Sequence, residues 1–189
     1  MKKGLKIFLG IVVALLIIIV PIISSYNNLI SLEQKVLNAS SNIETQLQRR
    51  SDLIPNLVNV VKGYATHEED IFTQIAEARS KLAGANTVSE QVNADAELSS
   101  ALSRLLVVVE QYPDLKANKN FSDLSVQLEG TENRIAILRE DYNTAATAYN
   151  TKIRRFPTNI IASLFNFEKV DLYKSAPGSE EVPQVDFNS

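Results

Sequence analysis

Residues 49–71 read RRSDLIPNLVNVVKGYATHEEDI. Apolar side chains recur here at alternating spacings of three and four, the mark of an amphipathic helix, yet a proline and several charges interrupt them. Pro55 has no backbone N–H, so in a helix interior it leaves the carbonyl of Ser51 without its usual donor, at a cost of about 3 kcal/mol. A kink at Pro55 is expected, serving either to bend a long helix around its partners or to form a hinge or ligand notch at the freed carbonyl. Arg50 and Glu68 fall where the pattern reserves apolar side chains. A straight helix would hold the two roughly 27 Å apart, so each needs a partner from another element.

Outward from this stretch the pattern continues. One line steps by seven through Leu29, Val36, Ile43, Arg50, Leu57, Tyr64, Ile71 and Ala78, and a second through Leu47, Ile54, Val61, Glu68, Ile75 and Leu82. Together they form a narrow coiled-coil-like seam and predict a helix from about Tyr26 to Leu82, ended by Gly84, Ala85 and Asn86. A second helix, with Thr87 or Ser89 as N-cap, buries Val92, Leu98, Leu102, Leu105, Leu106, Val109 and Tyr112 and stops at Pro113. A third, from Asn120, carries Phe121, Leu128, Ile135, Tyr142, Tyr149 and Phe156 at seven-residue steps and closes at Pro157. Ile160, Ile161, Leu164 and Phe165 mark a short fourth helix.

No sustained apolar-polar alternation bounded by turn residues marks a strand. Short connections make successive helices antiparallel neighbours. The predicted fold is therefore all-α: an N-terminal transmembrane helix, then an up-and-down antiparallel helical bundle. The bundle has three long helices, the first kinked at Pro55, plus a short C-terminal helix. Its expected divisions are a charged leader and anchor at 1–25, the bundle at 26–173 and a polar flexible tail at 174–189.

The anchor is read from MKKGLKIFLGIVVALLIIIVPIISS. No charge occurs from Ile7 to Ser25, and the apolar run at 7–23 reaches roughly 25 Å as a helix, close to the thickness of a bilayer core. The competing reading is a cleavable signal peptide, but the run exceeds the usual apolar core of one and PIISSYN offers no Ala-x-Ala type site. Lys2, Lys3 and Lys6 precede the run, and Glu33 is the one charge between Ser24 and Gln34. The positive-inside rule then places the N-terminus in the cytoplasm and the bundle outside the cell membrane.

Three of the 19 basic residues precede Ile7, leaving 16 against 22 acidic ones. That balance, without a basic stripe, argues against nucleic acid as a partner. The absence of Cys removes disulfides, thiolate metal sites and lipoprotein attachment. Catalytic constellations fail one by one. His67 and Glu68 begin a zinc-like HE pair, but Ile71 stands where HExxH needs its second His. A di-iron bundle needs two His and the chain has one. Neither a nucleophile triad nor a phosphate loop can be assembled. No catalytic, cofactor or metal site is predicted.

The charged residues are instead expected to form interhelical polar clusters that fix alignment, since a paired buried charge costs little where an unpaired one costs several kcal/mol. The candidates are Arg50, Glu68, Arg79, Glu110, Glu132, Arg134 and Arg139. The tyrosines before Asn27, Asn143 and Asn150 are expected to fill the seam while their hydroxyls find polar partners. Arg154 and Arg155, with Ile160, Ile161, Leu164, Phe165 and Phe167, form a candidate membrane-interface patch, against the plainer reading of a short helix capping the bundle.

YNNLI, QRRSDLIPNLVNVVKGYATHE, EQYPDLKANKNFSDLSVQLEGTENRIAILREDYNTA, YNTKI and FPTNIIASLFNF together resemble the LemA family of bacterial membrane proteins. The resemblance covers nearly all of 26–167 and rests on RRxDLIPNLV, YPDLK and TENRI in the expected order. It implies a single-pass helical-bundle protein with no established catalytic residues, and some members are described with the opposite topology. It also implies genomic company with membrane metallopeptidases, one expected kind of partner. The expected function is a non-enzymatic scaffold or adaptor of the bacterial cell envelope, self-associating as a homo-oligomer or binding another membrane protein. The alternative is a membrane-remodelling or lipid-binding module.

Overall fold

The computed structural model describes residues 2–174. Met1 and positions 175–189, which include nearly all of the tail expected at 174–189, lie outside the described residues. The chain forms α1 (Lys2–Lys62), α2 (Glu69–Gly84), α3 (Val88–Val109), α4 (Pro113–Lys116), α5 (Lys119–Arg154) and α6 (Thr158–Leu164). No strand occurs among the described residues, so the all-α reading holds.

α1 begins in the apolar run and continues without a break through Tyr26 and Pro55. Ile7, Leu9, Ile17 and Ile23 are each more than half exposed, and the helix is long and apolar enough to cross a bilayer. Lipid is the medium in which such a surface is satisfied.

The helix predicted from Tyr26 to Leu82 is two helices. α1 ends at Lys62, positions 63–68 turn, and α2 starts at Glu69. Arg79, ten residues into α2, bonds Ser51, eleven residues before the end of α1, so α2 runs back along α1. The seven-residue line hides this reversal, because Val61 and Ile75 are buried on either side of it. Gly63 weakens helix continuation entropically. Glu69 and Asp70 occupy the first turn of α2, where negative charge suits the helix dipole. Thr87 then caps α3 in a reciprocal box, its side chain accepting from the Glu90 amide while the Glu90 carboxylate accepts from the Thr87 amide.

Two compact units result. Unit 1 comprises Met1–Ser41 and Asp141–Asp171, and unit 2 comprises Asn42–Glu140 and Leu172–Ser189. Leu29, Val36, Tyr142, Ala146, Tyr149, Ile153 and Ile161 are buried in unit 1. In unit 2, Ile43, Ile54, Leu57, Leu98, Leu105 and Ile135 are buried.

Unit 2 is an up-down-up-down arrangement of the end of α1 with α2, α3 and the start of α5. Arg50 meets Asp95, and Leu57 shares a cleft with Leu102, so α1 and α3 ascend together. Arg139 meets Asp95, whereas Ser125 lies beside Leu102 and Leu106, so α5 descends against α3. Most predicted core positions are buried. Ile71, Val92 and Tyr112 are half-buried, and three positions predicted for the long helices are exposed: Tyr64 sits in the turn, Phe156 lies beyond the end of α5, and Leu106 edges the cleft, at 42%, 80% and 47% exposure.

Candidate functional site

The densest polar arrangement lies inside unit 2. Arg50 and Asp95 are 4% and 2% exposed, a level of burial that charged side chains reach only when paired. Arg50 Nη1 donates to Asp95 Oδ1 at 2.5 Å and Nη2 to Ser99 Oγ at 3.0 Å. Arg139 Nη2 donates to the other Asp95 oxygen at 2.8 Å. Glu132 Oε2 lies 2.5 Å from Arg50 Nη1 as an ion pair. Two guanidinium groups thus face two carboxylates, and the cluster is formally neutral. Ser99 donates back to the Asp95 carbonyl at 2.8 Å, and the Arg139 guanidinium lies 5.3 Å from the centre of the Tyr173 ring. Tyr173 in turn donates to Gln91 Oε1 at 2.7 Å.

Beside this cluster the Ser51 carbonyl freed by Pro55 has a donor. Arg79 Nε donates to Ser51 O and to Ser51 Oγ, both at 3.0 Å. The proline therefore creates an acceptor that an arginine from the returning helix occupies, rather than an open notch.

Of the sequence-predicted residues, Arg50, Glu132 and Arg139 converge, and Arg79 sits at the Pro55 site. Three do not join them. Glu68 precedes α2 as its N-cap residue and is only half-buried. Glu110 is exposed and pairs with Lys116 at 2.6 Å, and Arg134 points to solvent from α5. Glu68 and Glu110 lie at helix termini, where the seam ends, and Arg134 lies next to Ile135, which takes the inward position on α5.

Asp95 was missed, although a signal exists. Val88, Asp95, Leu102 and Val109 form a seven-residue line, and so do Ser125, Glu132, Arg139, Ala146 and Ile153.

A cleft of about 420 Å³ borders the cluster, lined by Arg50, Leu57, Leu102, Leu106, Ser125 and Glu132 among others. Ser125 Oγ and the Nε atoms of Arg50 and Arg139 are buried without a hydrogen bond, and Glu132 Oε2 is engaged through its ion pair with Arg50. Both oxygens of Asp95 are already engaged by guanidinium donors, so it presents no free base to a substrate. Among the described residues no group of three or more His, Asp or Glu side chains is placed to hold a metal.

Unit 1 carries a different constellation. The α6 helix ends in a Schellman motif: Asn166 adopts φ 56°, and the Phe167 amide donates to the Ala162 carbonyl at 2.9 Å. This turn sets Phe165 and Phe167 against Tyr26, with ring centres 4.8 and 5.7 Å away.

Farther along α5, Asn150 makes two bonds to the backbone of Val170, donating to its carbonyl at 2.8 Å and accepting from its amide at 3.0 Å. Tyr142 donates to the Asp171 carbonyl at 2.9 Å. Burial, then the Asp171 charge, pushes the Tyr142 hydroxyl above its ordinary pKa. Burial, then Glu33 and Glu168, does the same to Tyr149.

Within the membrane-interface candidates, Ile161 is buried in the protein and so is corrected to a core residue. Phe167 is half-buried, while Arg154, Arg155, Ile160, Leu164 and Phe165 are exposed.

Comparison with known proteins adds an independent line. Residues 39–187 match the model of the LemA family. The chain is 28% identical over 195 residues to magnetosome proteins MamQ 1 and MamQ 2 of Paramagnetospirillum magneticum, covering 89% of this chain and 72% of each relative. It is 31% identical over 165 residues to Protein LemA of Metamycoplasma hominis, covering 86% of this chain and 73% of that protein.

Proposed function

Because the chain belongs to the LemA family, we propose that it is a membrane-anchored, non-enzymatic helical scaffold or adaptor of the bacterial cell envelope. It holds a helical unit at the membrane and presents that unit to further copies of itself or to another membrane protein. A membrane metallopeptidase is one such partner. The observation that carries this reading is the internal pairing of Arg50 and Arg139 with Asp95 and Glu132. These charges are spent on one another, which fixes helix register, the best-attested use of buried ionic groups.

The apolar, exposed start of α1 supports anchorage by a single span. Two of the relatives carry magnetosome names, which is consistent with a role at a membrane. The leader lysines favour a cytoplasmic N-terminus and an extracytoplasmic bundle.

Crosslinking in intact membranes, over a range of linker lengths, tests the proposal. A homo-oligomer or one defined heteromeric adduct is expected, and monomer alone at every length contradicts it. Protease added to sealed spheroplasts tests the orientation, with digestion of the bundle expected and its full protection the contrary result.

A further inference from the structure

The α6 helix has two apolar faces. Thr158, Ile161 and Ala162 pack inward. Ile160 and Leu164 stand four residues apart on α6, a spacing that puts them on one side of the helix, Phe156 lies in the turn just before it, and the three are 59%, 72% and 80% exposed. Three large, exposed apolar side chains within nine residues are an unpartnered surface. Its place in unit 1 indicates what covers it.

Phe165 and Phe167 pack on Tyr26, and Tyr26 lies three residues past Ile23, where the apolar run of α1 ends. Three helical residues advance roughly 4.5 Å, whereas the headgroup layer on each side of a bilayer core is roughly 5 to 7 Å thick. Tyrosine is itself enriched at that depth. When the span is embedded, the end of α6 therefore stands beside it at headgroup level. Arg154 and Arg155, both exposed, immediately precede the stripe, and their charge suits anionic headgroups.

We propose that Phe156, Ile160 and Leu164 form a second, peripheral membrane contact that inserts into the same leaflet from which α1 emerges. The anchor then holds unit 1 at two points, one crossing the bilayer and one lying at its surface. The inference rests on the membrane reading above and adds the lipid leaflet as the occupant of this face.

The absence of native Cys makes the test direct. Full-length Phe156→Cys, Ile160→Cys and Leu164→Cys variants are labelled with an environment-sensitive fluorophore and reconstituted into vesicles containing phosphatidylglycerol. Val107→Cys, exposed at 68% in unit 2, serves as the aqueous reference, and Leu16→Cys reports whether the span itself is inserted. The three stripe labels are expected to be blue-shifted, quenched by nitroxide on the lipid headgroup and protected from iodide relative to Val107. Iodide access equal to that at Val107 overturns the proposal. Protection from both quenchers also overturns it, since a protein surface would then cover the stripe. A lipid-quenched Leu16 label with water-exposed stripe labels separates failure of this contact from failure of the anchor. Replacing Arg154 and Arg155 by Gln is expected to reduce the blue shift in anionic vesicles and to leave it unchanged in neutral ones.

Discussion

Asp95 is the residue on which the interior of unit 2 turns, because it answers two guanidinium groups at once. Asp95→Ala leaves Arg50 and Arg139 short of a counter-charge and is expected to cost about 3 to 5 kcal/mol, the usual penalty for breaking a buried pair. Glu132→Gln should cost less, since that side chain is 46% exposed. Chemical denaturation of the two variants checks the order. Ser51 offers a second test. Arg79→Met strands a buried carbonyl and should cost about 1 to 3 kcal/mol. Adding Pro55→Ala returns an amide to Ser51, so the double variant should recover stability. Additive effects in that cycle would break the link between proline and arginine. The sequence exposed half of this arrangement. Arg50 was visible because it breaks an apolar line, and Pro55 because its carbonyl must be satisfied. Asp95 carries no such mark, because the line it shares with Leu102 and Val109 has only four members and runs beside the leucine-rich face of Leu98 and Leu105.

At the level of elements, helix type was legible and helix direction was not. The seven-residue steps of α5 named Phe121, Leu128, Ile135, Tyr142 and Tyr149, all of which are buried. The same periodicity ran smoothly through the turn at 63–68, because a hairpin whose arms both face one core keeps apolar spacing on each arm. The cues that do mark the turn are Gly63 and the acidic start of α2, which are statements about backbone entropy and dipole rather than period. The start of α3 is stated more explicitly. Amides of Asn86 and then Thr87 hold the Glu90 carboxyl below its ordinary pKa of 4.5. The folded form therefore binds that proton less tightly than the unfolded chain does. The stabilisation is complete above pH 4.5 and lost as pH falls through the folded value. Thr87→Ala should remove about 1 kcal/mol, and Glu90→Gln should flatten this acid limb in a series of melts across pH. In unit 1 the sign is opposite. Tyr142 and Tyr149 keep their protons beyond the ordinary 10.0, so stability holds up to that pH and falls above it. Tyrosinate absorbance of these two residues should appear late, together with loss of helix signal.

For the whole molecule, the governing physics is solvent. The start of α1 is apolar and exposed, which suits lipid, whereas the charges buried in unit 2 are paired internally. Composition alone conveyed an N-terminal helix long and apolar enough to cross a bilayer. It carried no trace of oligomeric number, which depends on surface complementarity between copies and leaves no periodic mark in one chain. The claim at the centre of this account is that the protein works by assembly rather than by turnover. Extraction from native membranes in a mild detergent, followed by mass measurement of the intact particle, tests it most directly. A particle of defined mass larger than one chain, built from several copies or from this chain with another membrane protein, is the predicted result; a homogeneous population of single chains would contradict it.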